Sequence, residues 1–251
     1  MVNCVILAGS SEKKLRDKHD KAFININTMP MIYYVVNALK SSNVIDKIAI
    51  VGNFNNVNEI DTDIDYIIED KGSMFENALA GIKCFKDDER VLISTCDIPL
   101  LTGEAVRDFI EKSLASKADI CYPVVKKETC EARFPDAKRT YAKLKEGLFT
   151  GGNLILINPK VLDRCIDKAK LMIERRKNPI KMGRVLGLIV LIKMLIGNLS
   201  IENAEKRVAK LLKLTPKAII SDYPEIGNDV DKPEDLEMVE KYLIEYIGNQ
   251  H

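Results

Sequence analysis

Apolar positions along the chain change their period repeatedly, and the changes mark its elements. Val2–Leu7 is a near-continuous apolar run, the pattern of a strand buried on both faces, and it closes on Ala8-Gly9-Ser10-Ser11. After a densely charged loop, Pro30 opens a segment in which Ile32, Val35, Val36 and Leu39 recur at helical spacing. Short apolar runs at Lys47–Val51, Asp65–Ile68, Arg90–Ser94, Ile120–Val125, Gly152–Ile157 and Ala218–Ile220 predict further strands. Between them, Met74, Phe75, Ala78, Leu79, Ile82 and Phe85 predict a helix with one apolar face. Thr102 is placed to cap another helix that runs to about Ala115.

Strands alternating with helices predict an α/β fold, a doubly wound, mostly parallel, Rossmann-like sheet. From Pro159 to about Leu214 the pattern is helical alone, with Ser200 able to cap one of the helices. The expected organisation is therefore an α/β domain from residues 1–163 and 215–251. Residues 164–214 form a helical insertion before the last strand, a lid, subdomain or oligomer contact. Between Val185 and Ile192 apolar residues occupy nearly the whole helical circumference, which predicts burial on more than one side. Neighbouring helices, a second subunit in a homodimer, or an apolar acceptor would supply the cover. Asp231-Lys232-Pro233-Glu234 reads as a capping box opening the last helix.

Charge and composition then narrow the function. The 251 residues carry 38 basic and 37 acidic side chains, a formal net charge of +1, so no bulk attraction draws the chain to nucleic acid or to an anionic membrane. Only two histidines are present, His19 and His251, which removes histidine-rich metal sites and most Ser-His or Cys-His triads. Six cysteines show no paired spacing, as expected of a reducing cytoplasm. No basic region precedes the first apolar segment, so a signal peptide is not expected. The longest uncharged run inside Ile180–Leu199 is Val185–Ile192, far short of a membrane span.

In a doubly wound sheet, ligands bind at the carboxyl ends of the strands, and three segments fall there. Leu7-Ala8-Gly9-Ser10-Ser11 is either a phosphate-approaching turn backed by lysines or a tight turn before a solvated basic loop. Asp97, in Ser94-Thr95-Cys96-Asp97-Ile98-Pro99, is either an ordinary strand-end carboxylate or a Mg²⁺ ligand. In Glu225-Ile226-Gly227-Asn228-Asp229-Val230-Asp231, the capping position gives Asp231 a structural task, whereas Asp229 has none.

Taken together, these segments resemble a family. Leu7-Ala8-Gly9, Lys14-Leu15, and Asp20-Lys21-Ala22 before a Pro-initiated helix are similar to the signature loop of the nucleotidyltransferases related to molybdenum-cofactor guanylyltransferase, the MobA-like NTP transferases. Asp97-Ile98-Pro99, Gly151-Gly152-Asn153 and Asp229-Val230-Asp231-Lys232-Pro233 resemble its later landmarks. The resemblance covers roughly residues 1–160 and 218–240. It departs from the family pattern at Ser10, where a second glycine is usual, and at Lys14, where an arginine is usual, with Arg16 as a competing candidate.

The resemblance implies transfer of a nucleotidyl group from a nucleoside triphosphate to a phosphorylated small-molecule acceptor, with release of pyrophosphate. Mg²⁺ on Asp97 and Asp229 is implied, with Lys21 on the α-phosphate and Lys14 on the leaving pyrophosphate. Leu7, Ala8, Gly9, Ser10, Gly72, Ser73 and Asn77 are expected around the nucleotide, and Lys143, Gly152 and Asn153 around the acceptor. An ionised acceptor needs no general base, which suits a chain almost free of histidine. A nucleotide-sugar glycosyltransferase and a non-catalytic nucleotide-binding regulator are the alternatives.

Overall fold

The computed structural model describes residues 1–9, 21–53, 64–175 and 179–248. In chain order the strands are β1 (Val2–Ala8), the short pair β2 (Asn25–Ile26) and β3 (Met29–Pro30), β4 (Ile45–Gly52), β5 (Tyr66–Glu69), β6 (Val91–Thr95), β7 (Ile120–Lys126), β8 (Ala142–Leu144), β9 (Gly147–Gly151), β10 (Leu154–Ile157) and β11 (Pro216–Ser221). The helices are α1 (Met31–Ser41), α2 (Met74–Cys84), α3 (Gly103–Ser116), α4 (Lys127–Arg133), α5 (Leu162–Arg175), α6 (Pro179–Leu186), α7 (Leu188–Leu195), α8 (Ile201–Leu212) and α9 (Pro233–Gly248).

The large sheet runs β5-β4-β1-β6-β10-β7-β9-β8, with β11 on β7. β1 pairs in parallel with β4 and β6, β4 with β5, and β7 with β11. β10 is antiparallel to both β6 and β7, and β9 to β7 and β8, so the mostly parallel expectation holds with two reversed strands. Alternation along β1 shows why the sheet is covered on both faces. Cys4, Ile6 and Ala8 join Ile32, Val36, Val106 and Phe109 of α1 and α3 in one core. Val5 and Leu7 join Ala78 and Ile82 of α2 in the other. The side chains of Ser73 and Thr102 cap α2 and α3, accepting from Glu76 N and Ala105 N, a contribution of about 1 kcal/mol each.

The helical region departs from its expected form in two respects, its continuity and its burial. The apolar stretch Ile180–Leu199 is not continuous, because Gly187 at φ +106° breaks it into α6 and α7. That dihedral is costly for any side-chain-bearing residue. The inner faces of the pair close a small core of Leu186, Val190 and Leu199 with Met172, Met182, Val208 and Leu211. The outer face is uncovered, with Leu188 and Ile189 exposed to 69% and 72%. α5 and α8 pack on the sheet side, where Val161, Cys165, Leu212 and Leu214 meet Ile120. Among the described residues no helix is long and apolar enough to cross a membrane.

Candidate functional site

Register brings the chemistry to one edge. Leu7 pairs with Val51 and Thr95, and Cys96 N donates to Leu7 O at 3.2 Å, so Gly9 and Asp97 leave the sheet side by side at its carboxyl edge. β11 rises to the same edge and passes through a 3-10 turn, Pro224–Gly227, into Asp229 and Asp231. Val230 N donates to Asp97 O at 2.9 Å and ties the two aspartate loops together. Thr95 Oγ1 donates to Asp97 Oδ1 at 2.6 Å and fixes that carboxylate. Asp97, Asp229 and Asp231 each place an oxygen within 4.8 Å of the others.

Among the described residues, two cations serve this cluster. Lys21 Nζ lies 2.5 Å from Asp97 Oδ2 and 2.8 Å from Asp231 Oδ1, with its side chain only 8% exposed. Burial works against its charge, but Asp97 and Asp231 outweigh that and hold the ammonium well above the usual lysine range. Arg139 Nη1 donates to Asp229 Oδ1 at 2.7 Å. Burial, reinforced by the nearby Asp97 and Asp231 charges, nevertheless pushes the Asp229 carboxyl above its ordinary value, against the pull of Arg139.

A second group lies beside Gly9, at the start of α2. Lys71 N donates to Asn77 Oδ1 at 2.6 Å, Asn77 Nδ2 donates to Asp70 Oδ1 at 2.8 Å, and Gly72 N donates to that same oxygen at 2.8 Å. Gly72, at φ +84°, makes the turn, and Ser73 caps the helix. A Cβ on Gly9 would fall 2.3 Å from Asn77 Nδ2, so the glycine is what lets the end of β1 approach this turn.

Gly152 and Asn153 clamp the aspartate loop through its preceding turn. Asn153 N donates to Ile226 O at 2.9 Å, and Thr95 N donates to Asn153 O at 3.2 Å. A Cβ on Gly152 would fall 2.4 Å from Ile226 Cγ2. Lys143 lies elsewhere, its aliphatic stem against Gly197 between α7 and α8. The expected contacts of Ser10 and Lys14 fall outside the described residues.

The capping expectation for Asp231 needs correction. Asp235 Oδ2 accepts from the backbone N–H groups of Asp231 and Lys232, at 3.0 and 2.8 Å, which puts the reciprocal bond on Asp235 in place of Glu234. The Asp231 carboxylate instead joins Lys21. The available signal was the Asp-x-Asp spacing, which sets both side chains on one side of an extended segment. Asp70 is a further member that the motifs did not single out, whereas Arg139 opens the stretch 139–145, which by sequence is either basic enough to receive an anionic acceptor or a solvated strand edge.

Known proteins share this architecture. A hypothetical transferase from Thermus thermophilus is 34% identical and superposes with a TM-score of 0.82, covering 94% of this chain and 100% of that one. The 4-diphosphocytidyl-2C-methyl-D-erythritol synthase from Anaerococcus prevotii has the same fold at 13% identity and a TM-score of 0.61, over 97% of this chain and 96% of that one. A 2-C-methyl-D-erythritol 4-phosphate cytidylyltransferase from Lachnoclostridium phytofermentans is 24% identical over 128 residues, 47% of this chain and 54% of its own length. The matched region thus spans about half of that curated relative. With the family model matching residues 4–172, the chain belongs to the family of the MobA-like NTP transferase domain.

Proposed function

We propose that the chain transfers a nucleotidyl group from a nucleoside triphosphate to a phosphorylated small molecule and releases pyrophosphate. One observation carries this reading: the Lys21 ammonium is held between Asp97 and Asp231, with Asp229 in the same cluster, at the carboxyl edge of the sheet. An acceptor phosphate oxygen attacks the α-phosphorus, the bond to the β-phosphate oxygen breaks, and the electron pair leaves with pyrophosphate. Since the nucleophile is already ionised, the protein's work is alignment and charge neutralisation.

Lys21 meets the charge that develops on the α-phosphate, and its two carboxylate partners keep it protonated until phosphate oxygens replace them. Gly9 lets the backbone approach the phosphates, and the Asp70–Asn77 turn holds the nucleoside end. Arg139 is the basic residue on the acceptor side, with Gly152 and Asn153 acting through the loop they clamp. The three carboxylates fit a hard divalent cation such as Mg²⁺, because all donors are oxygen and they converge. Such a cation, held by Asp97, Asp229 and Asp231, supplies neutralisation of the triphosphate oxygens.

The test is calorimetric binding of the four triphosphates with Mg²⁺, followed by pyrophosphate release with a panel of phosphorylated acceptors. One triphosphate should bind, and pyrophosphate should appear only with an acceptor. Asp97→Asn and Lys21→Met should each release it at least about 100-fold more slowly while keeping the wild-type circular dichroism spectrum. Binding of nucleotide-sugars with no affinity for any triphosphate would overturn the reading in favour of glycosyl transfer.

A further inference from the structure

The surface formed by α6 and α7 differs from the rest of the molecule. The two helices pack tightly, because a Cβ on Gly183 would fall 2.4 Å from Leu191 Cδ1, and Arg207 Nε donates to Leu186 O at the break. Outside this packed seam, Ile180, Leu188, Ile189, Ile192, Leu195 and Ile196 are 50–72% exposed. Large aliphatic side chains gathered in this way are uncommon on a protein surface without an occupant. From Pro179 to Leu199 the only charged residues are Lys181, Arg184 and Lys193, all basic, in a chain whose net charge is +1.

We propose that α6 and α7 dock the chain onto an anionic lipid surface. The aliphatic ridge enters the boundary between headgroups and acyl chains, while Arg184 and Lys193 meet the lipid phosphates. Charge complementarity selects this occupant. A symmetric contact with a second copy would set Arg184 and Lys193 against the same patch, like charge on like. A bilayer also accepts protruding aliphatic side chains without a matching socket, which a folded acidic partner would have to provide.

Topology gives the docking a direction. β10 runs against its neighbours, so α5 starts at the amino edge of the sheet, and its Lys170 pairs at 2.8 Å with Glu76 in the first turn of α2, at the carboxyl edge. α8 must return to the amino edge, because β11 follows it in parallel with β7. The α6–α7 ridge therefore lies at the end of the molecule that holds Asp97, and docking brings that end to the lipid surface.

Vesicle flotation of the full chain tests this without reference to turnover. At low salt the protein should float with vesicles of equal parts phosphatidylcholine and phosphatidylglycerol, and remain in solution with phosphatidylcholine alone. Arg184→Gln and Lys193→Gln should each weaken binding about fivefold. The double variant Leu188→Gln/Ile189→Gln should weaken it about tenfold or more with an unchanged melting curve, since both side chains are already exposed. A chain that stays in solution with the anionic vesicles would overturn the proposal. So would a dimer in sedimentation velocity that Leu188→Gln/Ile189→Gln converts to monomer without any effect on flotation.

Discussion

Three carboxylates and two cationic side chains share the cluster, so replacing one changes the field that the others meet. Lys21 is the most buried of the five, and Lys21→Met leaves Asp97 facing Asp229 and Asp231 without its nearest counter-charge. Losing a donor aimed at developing charge costs about 100- to 1,000-fold in turnover, the fall expected in a single-turnover assay. Asp231 is half exposed, so Asp231→Ser should lose a smaller factor, roughly tenfold, with little change in melting temperature. A fully active Asp231→Ser enzyme would return this residue to a purely structural task. The sequence could not disclose the pairing, because Lys21 and Asp231 lie 210 positions apart and only the complete sheet brings them together. Glu225 tests the same region through pH. Burial pushes its carboxyl above the ordinary value, against the pull of the Thr102 hydroxyl, which donates to Glu225 Oε1 at 2.9 Å. A raised folded value means that ionisation is harder in the fold than in the unfolded chain. Stability linked to Glu225 is therefore complete below the unfolded carboxyl range, near about pH 4, and is lost as pH rises through the folded value. Glu225→Gln should match wild type in melting temperature near pH 4 and exceed it at pH 7; equal melting temperatures at both would show no linkage.

At the scale of elements, strongly patterned segments were legible, and segments that depend on a distant partner were not. β1, β6 and β7 are apolar runs bounded by turn residues, and their observed limits lie within a residue or so of those expected. The caps at Ser73, Thr102 and Ser200 are local hydrogen bonds, which is why residue type alone can flag such positions, as it did for Thr102 and Ser200. Ile180–Leu199 reads as one buried helix because hydrophobicity sets period without setting burial. The break depends on a positive φ at Gly187, and the uncovered face depends on where α5 and α8 leave the sheet. The β1–α2 junction offers a direct test at this scale. Gly9→Ala forces Asn77 away from its place, and overpacking of that kind costs about 1–3 kcal/mol. Since Asn77 and Asp70 together brace the turn at Gly72, triphosphate affinity should fall at least about tenfold in calorimetry. Unchanged affinity in a destabilised variant would place the nucleoside away from this turn.

For the whole molecule, the decisive quantity is the charge that a triphosphate meets on arrival. A net charge of +1 spread over 251 residues gives no general attraction, so binding must be settled within the cluster. There the triphosphate approaches Asp97, Asp229 and Asp231, with Lys21 and Arg139 beside them among the described residues. Burial raises the Asp229 carboxyl above its ordinary value, and the charges of Asp97 and Asp231 add to this against the pull of Arg139. Nucleotide alone sets its phosphates against three carboxylates, and a divalent cation alone gains only the few ligands the aspartates provide. Together they cancel, so the two should bind cooperatively. A ligand at 100 times its dissociation constant stabilises the folded chain by about 2.7 kcal/mol. For a chain of this size that is a rise of roughly 5 °C in melting temperature. The matching triphosphate should give this rise with Mg²⁺ and little of it with EDTA, while Mg²⁺ alone shifts the transition by about 1 °C or less. Asp97→Asn and Asp229→Asn should each remove the Mg²⁺-dependent part. An equal rise with Mg²⁺ and with EDTA would show that cationic side chains hold the nucleotide without a metal, and that no divalent cation belongs to the site.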